Sequence, residues 1–213
     1  RVVGRMKEAG VERLVVNVYH FGEQVLEFLA GHDNFGMDIV VSDERGGLLD
    51  TGGGVLKARE LFHPGAAVLA HNVDILTDLD LRVLREWHER QGAYATLVVK
   101  RVMADRVLKF DADGCLKGWE NKRTDERKIV DDGFYAAGEF GYCGIQVLSA
   151  DFLRNMVLRG AFSIIDEHLS QAETHPIRAF EHTGFFMDAG TPGAVKDAEK
   201  AWKAGRWRDP CDI

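Results

Sequence analysis

The segment Gly184-Phe185-Phe186-Met187-Asp188-Ala189-Gly190-Thr191-Pro192 constrains this chain more than any other. An apolar run stops at an aspartate and turns at once into a helix. Thr191 is a natural N-cap, and Pro192 suits the first helical position, where no backbone N–H is missed. With Thr191 as the cap, Asp188 is not needed for it. A carboxylate at the end of an apolar strand in an α/β chain lies where such folds bind ligands. The run Ala66 to Asp74 has the same form, an apolar strand passing through His71-Asn72-Val73 to Asp74. Two strand-end aspartates that meet in space make a site for a hard divalent cation.

The 213 residues suffice for one domain with a real core, and the absence of linkers, repeats and low-complexity tracts predicts a single domain over 1–213. A net charge of −7 argues against a general nucleic-acid surface, which needs a clustered basic face. Anionic small molecules remain open, because a cation can carry the positive charge. Cys115, Cys143 and Cys211 are odd in number and lack C-x-x-C spacing, which predicts reduced thiols in a cytoplasmic protein. No apolar run approaches the ~20 residues of a membrane helix, and no signal peptide is visible.

Along the chain the pattern predicts a helix over Val2 to Ala9, a strand within Glu12 to Tyr19, a helix over Gly22 to Leu29 and a strand over Asp38 to Val41. A glycine-rich turn at Gly52-Gly53-Gly54 leads into a helix through Leu61. Thr77 with Asp80 resembles a capping box for a helix through Leu81, Leu84 and Trp87. This alternation, continuing to about Lys100, indicates a mainly parallel sheet with crossover helices. Two strands then flank the hairpin turn Asp111-Ala112-Asp113-Gly114. Glu120 to Asp132 reads as a solvated loop and Gly141 to Leu148 as a strand. Ala150 to Met156 and Ser163 to Leu169 read as helices, Ile177 to Glu181 and Phe185 to Met187 as a closing pair of strands, and Pro192 to about Ala204 as the last helix. Trp87, Trp119, Trp202 and Trp207 read as packing residues, His71 as a packed or partly exposed histidine, and Lys57 as facing solvent.

Four motifs stand in register: Asp50-Thr51-Gly52-Gly53-Gly54, His71-Asn72-Val73-Asp74, Gly141-Tyr142-Cys143-Gly144-Ile145 and Met187-Asp188-Ala189-Gly190-Thr191-Pro192. Their order and spacing resemble the sugar-1-phosphate nucleotidyltransferases, or nucleotide-sugar pyrophosphorylases. The likeness is to the bacterial branch that includes the N-acetylmuramate-1-phosphate uridylyltransferases and the mannose-1-phosphate guanylyltransferase-like proteins. The resemblance implies a Rossmann-like fold of the GT-A type. It also implies a reaction joining a nucleoside triphosphate, UTP or GTP, to a sugar 1-phosphate with release of pyrophosphate. By the resemblance, Asp74 and Asp188 are the catalytic, metal-holding residues, and the ion is Mg²⁺. Glycines 52 to 54 would meet the nucleobase, since a backbone without Cβ atoms comes close to a flat ring and its N–H groups can read a base edge. Thr51 either caps the helix or touches the nucleotide, and Asn72 either contacts the nucleotide or holds its own turn. Gly144 and Glu139 would line the sugar pocket.

The family opens with a strand, a loop written roughly G-x-G-x-R and a Pro-Lys-Pro segment, and neither motif occurs here. The helix that follows them in the family matches Arg1 to Gly10, so the family's central strand and basic, triphosphate-wrapping loop would either precede Arg1 in a longer protein or have their place filled by another chain. Two other readings compete. One is a pyrophosphorylase-like module that binds nucleotide or partner proteins without catalysis. The other is a glycosyltransferase of the same architecture, disfavoured because His71-Asn72-Val73-Asp74 carries one aspartate and no Asp-x-Asp pair. A Rossmann dehydrogenase is disfavoured, because no G-x-G-x-x-G follows an early strand.

Overall fold

A computed structural model describes residues 1–205, so Trp207 and Cys211 lie outside the described residues. The first helix, α1 (Val2–Glu8), ends at Gly10, whose φ of 77° reverses the chain. β1 (Arg13–Val18) and β2 (Asp38–Asp43), joined by α2 (Gly22–Gly31), pair in parallel as a two-stranded sheet of their own. α3 (Asp50–Ala58) follows, then β3 (Val68–His71), β4 (Ile75–Thr77), α4 (Leu81–Gln91) and β5 (Ala95–Lys100).

The second half supplies β6 (Arg106–Phe110), β7 (Leu116–Asn121), β8 (Glu126–Ile129), β9 (Gly138–Leu148), α5 (Ala150–Arg154), α6 (Ile164–Ala172), β10 (Ile177–Glu181), β11 (Phe186–Asp188) and α7 (Pro192–Lys203). A seven-stranded sheet runs β10-β5-β9-β6-β7-β8, with β3 also on β9. The fold is the expected mixed α/β arrangement, but its strands pair mainly antiparallel and not mainly parallel. Its parallel pairings are β1–β2 and β5–β10, and every other pairing is antiparallel. The long strand β9 explains the balance: it meets β5 along one edge and β3 and β6 along the other, antiparallel to all three.

Several local expectations are corrected. Asp80, not Thr77, caps α4, its carboxylate accepting from the Arg82 N–H at 2.9 Å. Thr77 instead ends β4, a strand too short to show alternation. The charged run from Glu120 contains β8, every residue of which is exposed, so no apolar face announced it. β10 and β11 do not pair with each other; β10 joins β5 and β11 joins β4. Lys57 does not simply face solvent, since its ammonium donates to the Asp43 carbonyl. Trp87 packs edge-on against Phe180, whereas Trp202 remains half-exposed.

Among the described residues β1 pairs only with β2 and β3 only with β9, so each strand keeps one unpaired edge. Leu14 of β1 and Leu69 of β3 nevertheless pack on one apolar cluster with Met6, Leu84, Ile145 and Val147. Two strands resting on a common core, each with one edge unbonded, leave N–H and C=O groups without ladder partners.

The larger core lies under β5 and β9 and includes Leu97, Leu108, Phe110, Leu148 and Phe152. Within it α6 is fixed by polar groups. The buried Glu167 carboxylate accepts from the N–H groups of Val157 and Leu158 at 2.9 and 3.0 Å and from the Gln171 amide at 2.6 Å. The His168 ring meets Gln146 Oε1 of β9 at 2.5 Å. Burial pushes His168 down to about 3. A ring whose folded pKa lies below the unfolded value takes up its proton mainly in the unfolded chain between those two values. The stability it contributes is therefore whole above about pH 6.5 and is lost as the pH falls towards 3. Between pH 7 and pH 5 this ring alone should remove about 2 kcal/mol of stability. Urea unfolding of wild type and His168→Gln checks it: the variant should lose less stability over that interval by about this amount, whatever its stability at pH 7. Equal losses would contradict a buried neutral imidazole.

Candidate active site

The acidic pair is assembled by β4 and β11. Their antiparallel register places Asp188 opposite Ile75, the residue after Asp74. The Ala189 N–H donates to the Asp74 carbonyl at 2.7 Å, closing this end of the ribbon. The Gly190 N–H donates to Asp188 Oδ1 at 2.8 Å. An ideal Cβ on Gly190 would lie 2.8 Å from Asp74 Oδ2 and 3.0 Å from Asp188 Oδ1. The two oxygens therefore face one small volume and are no more than about 6 Å apart, close enough for modest side-chain rotation to bring both onto one ion. Asp188 is exposed and Asp74 half-buried, so the cradle opens to solvent. Thr191 Oγ1 accepts from the Ala194 N–H at 3.2 Å, leaving Asp188 outside the cap of α7.

Two further candidates join this cradle. The Asn72 N–H donates to the Gly144 carbonyl at 2.9 Å, and a Cβ on Gly144 would meet the Asn72 amide nitrogen at 2.9 Å. Gly144 holds a φ of 68° inside β9, a conformation that favours glycine. The exposed Asn72 side chain therefore lies over Gly144, two residues from Asp74. Next to it, His71 Nδ1 contacts the Asn72 carbonyl at 2.7 Å, and burial pushes the imidazole down to about 4. This is the packed histidine that the sequence suggests.

The glycine motif is placed differently from the expectation. Residues 52–54 are not a turn but the first turns of α3, and Asp50 takes the reversing φ of 58°. The N–H groups of Gly52 and Gly53 both donate to the Phe162 carbonyl, at 2.9 and 3.3 Å, and so are engaged within the protein rather than presented to a base. Each glycine answers a close approach. A Cβ on Gly52 would strike the Phe162 ring at 2.3 Å, on Gly53 the Gly160 carbonyl oxygen at 2.3 Å, and on Gly54 Glu44 Oε1 at 2.8 Å. Thr51 Oγ1 accepts from the Ile164 N–H at 3.0 Å, tying α3 to the start of α6.

Glu139 also stands apart. Its carboxylate pairs with Lys109 Nζ at 3.2 Å and with Lys122, which hold it below the usual carboxylate range, Lys122 foremost. Five residues of strand separate it from Gly144, roughly 15 Å. Sequence reasoning missed Glu44, whose buried carboxylate accepts from the Leu49 N–H at 3.0 Å while Oε1 has no hydrogen-bond partner. A carboxylate ending β2 before a glycine pair was the available signal. It also missed the partners of the acidic ribbon: Arg5, whose guanidinium donates to the carbonyls of Thr77 and Leu79, and His182. Among the described residues no group of three or more His, Cys, Asp or Glu side chains forms a metal cluster, so the cradle offers two carboxylates and open positions. No helix is long and apolar enough to cross a membrane, again among the described residues.

Comparison with known proteins supplies the family. No family model matches the chain. It is 37% identical over 208 residues to the N-acetylmuramate alpha-1-phosphate uridylyltransferase of Neisseria meningitidis serogroup B, covering 96% of this chain and 83% of that protein. It is 24% identical over 189 residues to the mannose-1-phosphate guanylyltransferase catalytic subunit beta of Drosophila pseudoobscura pseudoobscura, covering 87% of this chain and 48% of that protein, about half its length. A crystal structure of UDP-glucose pyrophosphorylase complexed with UDP-glucose superposes with a TM-score of 0.69 at 15% identity, over 96% of this chain and 85% of that one. The fold is thus Rossmann-like, of the GT-A type. With its four motifs in register and a relative this similar over most of both chains, the protein belongs to the sugar-1-phosphate nucleotidyltransferase family.

Proposed function

We propose that the chain forms, as one domain over 1–213, the larger part of a Mg²⁺-dependent cytoplasmic nucleotidyltransferase that joins UTP or GTP to a sugar 1-phosphate and releases pyrophosphate. One observation carries this reading: Asp74 and Asp188, remote in sequence, aim their carboxylates into the single volume that the missing Cβ of Gly190 leaves free. Two hard oxygen donors with room for water and phosphate oxygens suit Mg²⁺, which keeps several such ligands. When bound there, the ion would neutralise charge on the reacting phosphate. The chain's own groups do the rest. Asp74 and Asp188 hold the site at the mouth of the β4–β11 ribbon. The Asn72 amide, over Gly144, is placed to donate to or accept from a substrate hydroxyl or phosphate beside the acidic pair. The glycines of α3 serve this arrangement by letting α3 pack closely on residues 160–164.

The second reading, a module that binds nucleotide or partner proteins without catalysis, is favoured by the unpaired edges of β1 and β3. We reconcile the unpaired edges with an enzyme by proposing that full turnover needs a strand in the slot between β1 and β3 and a basic loop attached to it. A form extended upstream should release pyrophosphate at least about tenfold faster than the 213-residue chain, and equal rates would refute the proposal.

In that extended form Asp74→Asn and Asp188→Asn should each lower kcat by about 100-fold or more, equivalent to about 3 kcal/mol of transition-state stabilisation. Their thermal midpoints should stay near wild type, because neither carboxylate is buried. Gly190→Ala provides an independent check. Its Cβ would enter the cradle between the two oxygens, so the Mg²⁺ concentration for half-maximal rate should rise while stability changes by less than about 1 kcal/mol. Retained turnover in both aspartate variants would remove the enzymatic reading.

A further inference from the structure

The ribbon that carries the acidic pair is not part of the seven-stranded sheet, and it is only three residues long on each strand. A two-stranded ribbon of that length is marginal on its own, so its register must be set by what grips its ends. One end is the site itself. The other is a polar knot centred on His182, a residue left 8% exposed after β10. Nε2 of its ring lies 3.0 Å from Asp78 Oδ1, 3.1 Å from the Phe185 carbonyl oxygen and 3.1 Å from Thr77 Oγ1. A carboxylate and a carbonyl can only accept, so this nitrogen carries the proton. One ring N–H thereby spans the chain leaving β4, at Thr77 and Asp78, and the chain entering β11, at Phe185.

The knot is bolted to the main sheet. The His182 N–H donates to the Val99 carbonyl at 2.8 Å, and the Lys100 ammonium donates to the Gly184 carbonyl. Thr77 Oγ1 also accepts from the Leu79 N–H at 3.1 Å, and the Asp78 N–H reaches the Phe185 carbonyl at 3.3 Å. Gly184 permits the closeness, since a Cβ there would strike Asp78 Oδ1 at 2.3 Å. Asp188 is three residues beyond Phe185, and Asp74 three residues before Thr77. Displacement at the knot therefore passes along three residues of the ribbon to each carboxylate.

We propose that His182 is a positioning residue for the acidic pair: its ring sets the β4–β11 register and thereby the spacing of Asp74 and Asp188. The proposal rests on the metal reading of those two residues, and its test separates the two claims. Binding of Mn²⁺ alone, as a probe for Mg²⁺, is followed by electron paramagnetic resonance in the 213-residue chain, together with amide hydrogen exchange. His182→Ala should weaken Mn²⁺ binding about tenfold and speed exchange at Leu76, Thr77, Phe186 and Met187 without altering β5 or β9. His182→Gln, which retains a side-chain N–H at a similar reach, should recover affinity to within about threefold of wild type. Asp78→Ala, at a half-exposed position, loosens the same knot and should weaken Mn²⁺ about threefold. Wild-type affinity in His182→Ala overturns the proposal, as does wild-type affinity in Asp78→Ala should His182→Ala not fold. Asp188→Asn is the control. Loss of Mn²⁺ there with full affinity in His182→Ala sinks the positioning role alone, whereas full affinity in Asp188→Asn sinks the metal reading beneath it.

Discussion

Antiparallel pairing of β4 with β11 joins two parts of the chain that are far apart in sequence, and the rest of the site follows from it. The pairing sets Asp188 beside Ile75, hands the Ala189 N–H to the Asp74 carbonyl, and turns both carboxylates towards Gly190. Such a long-range contact carries a loop-closure cost that three rungs of ladder cannot offset alone. The protein meets it by clamping the ribbon from outside, with Arg5 of α1 on the Thr77 and Leu79 carbonyls and His182 and Lys100 at the far end. Asp74 and Asp188 are then left facing Gly190 at an end of the ribbon that opens to solvent.

Around this ribbon the molecule is divided between a well-paired sheet and a loosely joined one. β5 and β9 form a long ladder, broken by one register shift between Leu97 and Val99, over an apolar core stiffened by Glu167 and His168. β1 shares the smaller core with β3, through Leu14 and Leu69, yet is not hydrogen-bonded to it. The glycines of α3 belong to the same boundary. They bring that helix against residues 160–164 and let the Glu44 side chain lie against Gly54, so α3 stands between the chain leaving β2 and the segment that leads into α6.

Much of this was legible in the sequence, and the failures have physical causes. Thr191-Pro192 announced α7 because capping is local chemistry, and the Asp111 to Gly114 turn announced the β6–β7 hairpin for the same reason. The meeting of Asp74 and Asp188 beside Gly190 was legible because each aspartate ends an apolar run. β4 was not, being three residues long, nor was β8, an edge strand exposed on both faces. The glycine triplet was misread because three glycines suit a helix packed at short range as well as a turn around a ligand. Only the location of Phe162 and Gly160 decides between them. Glu139, expected upstream of a strand beginning at Gly141, lies within β9, where it pairs with Lys109 on β6 and Lys122 just beyond β7. His182 and Arg5 were invisible as site-shaping residues, since their partners are backbone and side-chain atoms distant in sequence.

The most direct measurement is the anomalous scattering of a crystal of this chain equilibrated with Mn²⁺. A single peak within about 2.2 Å of an oxygen of both Asp74 and Asp188, in the cradle beside Gly190, is the expected result. Peaks confined to other carboxylates, with the cradle empty at saturating Mn²⁺, would contradict the claim that these two residues share one ion.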